Sequence, residues 1–190
     1  MSTKYDMLKH FINEQVAMGE TPKNNPYFGS NEFADGWFLP TEGRWYKHAV
    51  ESIPNGGNFI EIGSYQGLSL SKVKDVLAEK NINSWAVDIK KKPQLVKNCD
   101  AWGIEFINRN SKNVSQMFEN EFFDLVFIDA DHRYEKILED IRLWRPKVKK
   151  GGMLAGHDYC DRFEGIQKAV GEELDGHQKG AGTIWYWMKK

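Results

Sequence analysis

Cysteine is scarce in this sequence. Cys99 and Cys160 are the only two, and they form no C-x-x-C pair. That speaks against a disulfide scaffold and against a thiolate zinc site. An excess of one charge is also missing. The formal net charge is −1, which gives neither a nucleic-acid footprint nor a polybasic membrane patch. The one basic run, Lys90-Lys91-Lys92, reads as a solvated loop, with anion binding as the alternative. No apolar run approaches membrane-spanning length, and Met1-Ser2-Thr3-Lys4-Tyr5-Asp6 lacks a signal-peptide core, so a cytoplasmic protein away from the membrane is expected. Internal repeats and low-complexity tracts are absent too. A last absence is the most specific. A dinucleotide fingerprint G-x-G-x-x-G starting at Gly63 requires glycine at 65 and 68, where Tyr65 and Leu68 stand and would obstruct a pyrophosphate.

What is present is ordinary in bulk. The 190 residues are 41% apolar and 28% charged, which fits one globular domain able to bury its own core. Residues 3–18 read as an amphipathic helix, with Leu8, Phe11, Ile12 and Val16 on one face. Residues 19–43 are rich in glycine, proline and asparagine, interleaved with Tyr27, Phe28, Phe33, Trp37 and Phe38, and read as a cap or lid. The expected organisation is therefore an N-terminal helix and cap over 1–43 and a ligand-binding domain over 44–190. In that domain strands are expected at 58–63, 84–88, 104–108, 123–129, 152–156 and 183–188. Helices are expected around 44–53, 67–80, 93–101, 113–119, 133–145 and 164–174. This alternation predicts an α/β fold with a mostly parallel, Rossmann-like sheet covered on both faces. The aromatic last strand, Thr183-Ile184-Trp185-Tyr186-Trp187-Met188, is expected antiparallel at the edge, where it offers a surface for a homodimer.

The chemistry concentrates at Phe59-Ile60-Glu61-Ile62-Gly63-Ser64-Tyr65-Gln66-Gly67-Leu68-Ser69. A short apolar strand ends in an acid, and a glycine loop leads into a helix. This order builds a nucleotide-type cofactor site at the carboxyl edge of a sheet. Gly63 and Gly67 allow the backbone to turn and to approach a ligand. A cofactor without phosphates, such as S-adenosylmethionine, tolerates Tyr65 and Leu68. The other strand ends carry Asp88, Asn108 to Ser111, Asp129, and His157-Asp158. Asp88 follows Gly67 by 21 positions, a spacing suited to an acid that accepts from two ribose hydroxyls; a solvent-exposed strand-end acid is the bland alternative.

These stretches, with Phe127-Ile128-Asp129-Ala130-Asp131-His132-Arg133-Tyr134-Glu135, Trp144-Arg145-Pro146-Lys147-Val148-Lys149-Lys150-Gly151-Gly152 and Leu154-Ala155-Gly156-His157-Asp158-Tyr159, resemble the motifs of class I S-adenosylmethionine-dependent methyltransferases. The likeness is to small-molecule O-methyltransferases of the macrocin O-methyltransferase, cephalosporin-hydroxylase-like and catechol/caffeoyl-CoA type, and it covers about residues 58–188. The resemblance implies that Gly63, Ser64, Tyr65 and Ser69 meet the methionine end of the cofactor. It implies that Glu61 anchors the loop from below, that Asp88 takes the ribose, and that Ser111 lies at the adenine. Asp129 is implied near the cofactor's amino group or on a divalent metal, with capping of the next helix as its alternative.

Metal-dependent members of this group hold one divalent ion with the acid after strand four and two adjacent polar residues after strand five. The matching positions are Asp129, His157 and Asp158. Magnesium prefers all-oxygen coordination, whereas an imidazole suits manganese, iron, nickel or zinc. His157 is alternatively a base, or orients Asp158. His132 stands three residues after Asp129, where catechol-type members carry a lysine base; a histidine there is a competent general base, with a surface helix-start residue or an adenine contact as alternatives.

The expectation is thus transfer of a methyl group to a hydroxyl of a small acceptor, such as a sugar or a phenol, with divalent metal (Mg or Mn) assisting. An S-adenosylmethionine-binding protein without transferase activity is the rival, and a nicotinamide-dependent oxidoreductase a more distant one. Asn25-Pro26-Tyr27-Phe28 is similar to the N-P-P-Y of nucleic-acid amino-methyltransferases but lacks the second proline and lies before the first strand, so DNA base methylation is disfavoured.

Overall fold

The near-continuous apolar run Phe123–Ile128 has almost no polar alternation, as a strand buried on both faces requires. In the computed structural model, which describes residues 31–190, it forms strand β4 at the middle of the sheet. The helix expected over 3–18, the segment 19–30, and Tyr27 and Phe28 lie outside the described residues.

Among the described residues seven strands form one sheet in the order β3-β2-β1-β4-β5-β7-β6. They are β1 Asn58–Ile62, β2 Asn83–Val87, β3 Glu105–Ile107, β4 Phe123–Ile128, β5 Val148–Gly156, β6 Gln178–Lys179 and β7 Trp185–Met188. β1 to β5 run parallel, and β7 is antiparallel to both β5 and β6. The strand order reverses between β1 and β4, which opens a crevice at their carboxyl ends. The register aligns those ends: Ile107 pairs with Val87, Val87 with Ile62, Ile62 with Ile128, and Ile128 with Gly156. Residues 63, 88, 108, 129 and 157 therefore emerge in one row.

Alternation along β1 divides the core. Phe59 faces one layer and Ile60 and Ile62 the other, so Glu61 shares the face of Phe59. The first layer is covered by α1 (Pro40–Glu51), α2 (Leu68–Ser71), α3 (Lys74–Glu79) and α4 (Pro93–Trp102), and holds Trp45, Tyr46 and Phe127. The second is covered by α5 (Ser111–Ser115), α6 (Tyr134–Trp144) and α7 (Glu164–Glu173), and holds Trp144 and Trp185. Among the described residues, no helix is long and apolar enough to cross a membrane.

Four differences from expectation have local causes. The helix expected over 67–80 is two helices. The Ser71 hydroxyl donates back to the Leu68 carbonyl at 2.5 Å, a bond that distorts a helix, and Val73 leaves helical geometry with φ −122. The helix expected at 44–53 starts at Pro40, suited to a first helical position, so the boundary placed at 43/44 falls inside α1. β5 begins at Val148 behind a bulge that shifts its register against β4, which its polar start, Lys149-Lys150-Gly151, hides from sequence. Finally, β7 is one strand in from the edge because the short β6 pairs outside it. Its Trp185 and Tyr186 are buried in the chain's own core, so these two rings are not on offer to a partner. Gly156 makes Trp185 possible, since a Cβ there would lie 2.5 Å from its ring.

One buried acid sets a pH dependence of folding. Asp140 on α6 is buried, and burial pushes its carboxyl up to about 6, against a hydrogen bond with Ser111 that lowers it. Its folded value lies above its unfolded one, so the native state holds the extra proton in the window between 3.8 and about 6, and stability falls as pH rises through it. Asp140→Asn should therefore stabilise the chain by roughly 1–3 kcal/mol at pH 8 and by little at pH 4. Urea unfolding of both proteins at the two pH values checks this.

Candidate active site

The glycine loop is fixed by close approach. Gly63 has φ +92, and a Cβ on it would lie 2.1 Å from the carbonyl oxygen of Asp129. No side chain fits there, so the loop rests directly on the end of β4. The Gly63 N–H donates to Val87 O and the Asp129 N–H to Ile62 O, each at 2.8 Å. Tyr65 takes the unusual φ +47. Its N–H donates to Asp88 Oδ2 at 2.8 Å, and the Lys90 N–H donates to Asp88 Oδ1 at 2.7 Å. Each Asp88 oxygen thus has one backbone donor and an unused acceptor direction. A cleft of about 430 Å³ opens here, and Gly63, Tyr65, Asp88, Ile89, Ser111, Asp129 and His132 are among its lining residues.

Other expected contacts are turned inward. Glu61 is fully buried; its Oε2 accepts from the Tyr46 hydroxyl at 2.6 Å and its Oε1 from the Ser69 hydroxyl at 2.9 Å. Burial raises its carboxyl above the usual range. Glu61 is the anchor below the loop that the sequence led us to expect, and Ser69 belongs to that anchor. Ser64 is 3% exposed. The Ser111 oxygen accepts from Trp144 Nε1 at 2.8 Å, so its hydroxyl is engaged in the protein while the residue lines the cleft. Asp129 does not cap α6; that neighbourhood is served by Asp131, which accepts from the Arg133 N–H at 3.0 Å.

Beside the cleft lies a cluster of acids and histidines. His132 Nε2 is 2.8 Å from Asp158 Oδ2, and its ring packs on Phe163 with centroids 4.3 Å apart. The hydrogen bond to Asp158 raises the His132 imidazole above its ordinary value. Burial alone would raise Asp158, but His132 and His157 hold it well below the carboxylate range. Asp129 behaves in the opposite way. Burial, with Asp158 and Glu61 nearby, pushes it up to about 7.

His157 is where the structure departs most from the sequence reading. Its side chain is 2% exposed, and Nε2 sits 3.0 Å from Oε2 of Glu42, a residue sequence reasoning did not single out. The contact is an ion pair rather than a well-aligned hydrogen bond. Burial would lower the imidazole, but Glu42 and Asp129 raise it well above its ordinary value. Its Nδ1 faces Asp158 Oδ1 at 3.5 Å and Asp129 Oδ1 at 3.7 Å. Acids therefore face both nitrogens of this ring, and the Glu42 carboxylate occupies its Nε2 side. Among the described residues, the group whose ligand atoms converge within 4.8 Å is Asp129, His132 and Asp158. His132 thus joins Asp129 and Asp158 in this group, while the buried His157 is held on its far side by Glu42. The resulting donor set, two carboxylates and one imidazole, fits an imidazole-tolerant ion such as manganese or zinc.

Residues 33–39 close the other side. Asn98 Nδ2 donates both to Phe33 O and to Gln66 O, tying this segment to the glycine loop. Trp37 lines a smaller cleft together with Gly63 and Asp129. Glu42 follows Pro40 by two positions, a spacing at which an acid reaches back to a helix start; that signal was present in the sequence, but nothing in it points to His157.

Comparison with known proteins adds to this geometry. A family model described as a methyltransferase domain matches residues 60–159. An uncharacterized protein of Acanthamoeba polyphaga mimivirus is 29% identical over an alignment of 131 residues, gaps included, that covers 60% of this chain and 59% of that protein; the match thus spans about three fifths of the viral protein. Among solved structures, the O-methyltransferase NovP superposes with a TM-score of 0.65 at 15% identity, covering 99% of this chain and 100% of its own. An rRNA methylase of Streptococcus thermophilus superposes with a TM-score of 0.60 at 13% identity, covering 76% and 93%.

The loop anchor yields a stability test. Tyr46→Phe keeps the ring packed on Phe127, 4.4 Å between centroids, but leaves Glu61 Oε2 without its donor. We expect a loss of about 1–3 kcal/mol, read as a lower urea midpoint with an unchanged slope.

Proposed function

This chain belongs to the methyltransferase-domain family, and on that premise we propose that it moves the methyl group of S-adenosylmethionine to a hydroxyl of a small acceptor. The residues present fit that cofactor. Gly63 and Tyr65 of the glycine loop line the cleft, Asp88 keeps free acceptor directions for the ribose, and Ile62, Val87 and Ile89 offer an apolar wall in the same cleft. When bound, the cofactor supplies an electrophilic methyl on a sulfonium. The chain's own task is to hold the acceptor in line and to take its proton.

The observation that carries the hydroxyl reading is the His132–Asp158 pair at 2.8 Å. Asp158 fixes the ring through Nε2. Nδ1 has no partner among the described residues and is the atom to receive the acceptor's proton, with Asp158 stabilising the imidazolium that forms. Trp37 lines the smaller cleft beside Gly63 and Asp129, in which a small ring or sugar would sit. A net charge of −1 supports a small acceptor over RNA, although one of the similar folds is an rRNA methylase.

A divalent ion is a second reading, favoured by the convergence of Asp129, His132 and Asp158. These three would hold it, and it would lower the pKa of the acceptor hydroxyl.

Two experiments test these readings. Labelled methyl transfer would be screened across phenols, sugars, amines and rRNA, with and without chelator. We expect label on hydroxyl acceptors, and His132→Ala to lower kcat by about 100-fold or more with little change in S-adenosylhomocysteine binding. Label on amines or rRNA alone defeats the hydroxyl reading, and full activity with chelator removes the ion. For the cofactor site, Asp88→Ala should weaken S-adenosylhomocysteine binding by roughly 2–4 kcal/mol in calorimetry; a folded variant with parental affinity would refute the ribose assignment.

A further inference from the structure

We propose that Glu42 is a positioning residue for methyl transfer: it grips one side of the His157 ring, and the other side of that ring tethers Asp129 and Asp158 where they face the acceptor. The inference rests on the reading of that cluster as the transfer site.

Glu42 is 1% exposed, a burial a carboxylate tolerates only with several donors. They come from three separate stretches of chain. Oε2 accepts from the Leu39 N–H at 2.7 Å and lies 3.0 Å from His157 Nε2. Oε1 accepts from the Thr183 N–H at 2.8 Å and the Thr183 hydroxyl at 3.0 Å. The turn is moulded to this carboxylate, since a Cβ on Gly182 would lie 2.3 Å from Oε1. Phe38 fixes the plane of the imidazole, its ring 5.1 Å away and tilted by 32°.

The second side of the ring distinguishes this arrangement from a filler of the core. Nδ1 lies between Asp158 Oδ1 and Asp129 Oδ1, at 3.5 and 3.7 Å. Asp158 also holds the left-handed φ +63, a conformation that persists only where the surroundings over-determine it. Those surroundings are again the Glu42 partners: the Asp158 N–H donates to the Thr183 hydroxyl at 3.2 Å, and the Tyr159 N–H to Thr183 O at 2.7 Å. Glu42 thus reaches Asp158 by two routes, through the His157 ring and through Thr183. A buried pair of this kind contributes little to stability when compared with apolar residues of the same size. Its effect should appear in rate.

The test uses the full chain with Glu42→Gln and with the paired apolar variant Glu42→Leu/His157→Phe. Melting temperature, S-adenosylhomocysteine affinity, and methyl transfer to catechol and to methyl glucoside as hydroxyl probes would be measured. Both variants should bind S-adenosylhomocysteine within about twofold of the parent, and the apolar pair, which leaves the Leu39 and Thr183 N–H groups without their acceptor, should remain folded but melt lower than the parent. Both should lose about 10- to 100-fold in kcat with KM nearly constant, the expected effect of a misplacement of about 1 Å. A crystal structure of Glu42→Gln with S-adenosylhomocysteine should show the Asp129 and Asp158 carboxylates displaced. Parental turnover in the apolar pair, or undisplaced carboxylates, overturns the proposal. If the parent methylates neither probe, the hydroxyl reading fails by itself, and the crystallographic comparison still decides whether Glu42 positions the two acids.

Discussion

The site depends on one steric constraint, the contact between the backbone of Gly63 and the carbonyl of Asp129. With 2.1 Å left for a Cβ, only glycine permits the loop to lie on the end of β4. That contact joins the two strands between which the sheet reverses its order, and so it forms the crevice itself. Everything that follows is registered against it. The Tyr65 N–H meets Asp88, and Gly67 starts α2 from a left-handed conformation. Parallel pairing places Asp88 and Asp129 on either side of the same loop.

Around this crevice, ionisable groups are graded by depth. Glu42 and His157 lie in the core, Asp129 and Asp158 at its margin, and His132 at the surface with 41% of its side chain exposed. Charges alternate along the series, so each buried member has an opposite neighbour. Such a series gives its outermost histidine a partly buried acid as partner, with His132 Nε2 2.8 Å from Asp158 Oδ2. It also divides the two strand-end acids: Asp158 has histidines on both sides and stays ionised, whereas Asp129 is pushed up to about 7.

The parts of this architecture legible in sequence were those with local signatures. Apolar runs marked β1 and β4, the loop glycines marked the turn, and regular alternation marked the parallel sheet. Acids at successive strand ends marked the site, because the topology of a parallel sheet carries all such ends to one edge. What sequence did not disclose depended on contacts far apart in the chain. Glu42 meets Thr183 across 141 positions, and Tyr46 meets Glu61 across a helix–strand packing that no periodicity encodes. The same holds for His157: its adjacency to Asp158 was legible, and Asp158 Oδ1 lies 3.5 Å from its Nδ1, but its second acid, Glu42, comes from a distant part of the chain.

The two buried glutamates show how partner chemistry fixes the role of an acid. Glu61 meets only hydroxyls, from Tyr46 and Ser69. Hydroxyls satisfy lone pairs without supplying charge, so burial prevails and the carboxyl is raised above its usual range. Glu61 thus holds the glycine loop from below through two hydroxyl bonds. Glu42 meets backbone N–H groups and an imidazole, which together overcome burial and lower its carboxyl. Its charge then fixes the state of His157, and through His157 the placement of Asp129 and Asp158. Two residues of the same type, both at most 1% exposed, thus act in opposite ways: one sustains the cofactor loop by hydrogen bonding, and the other organises the reacting edge by charge.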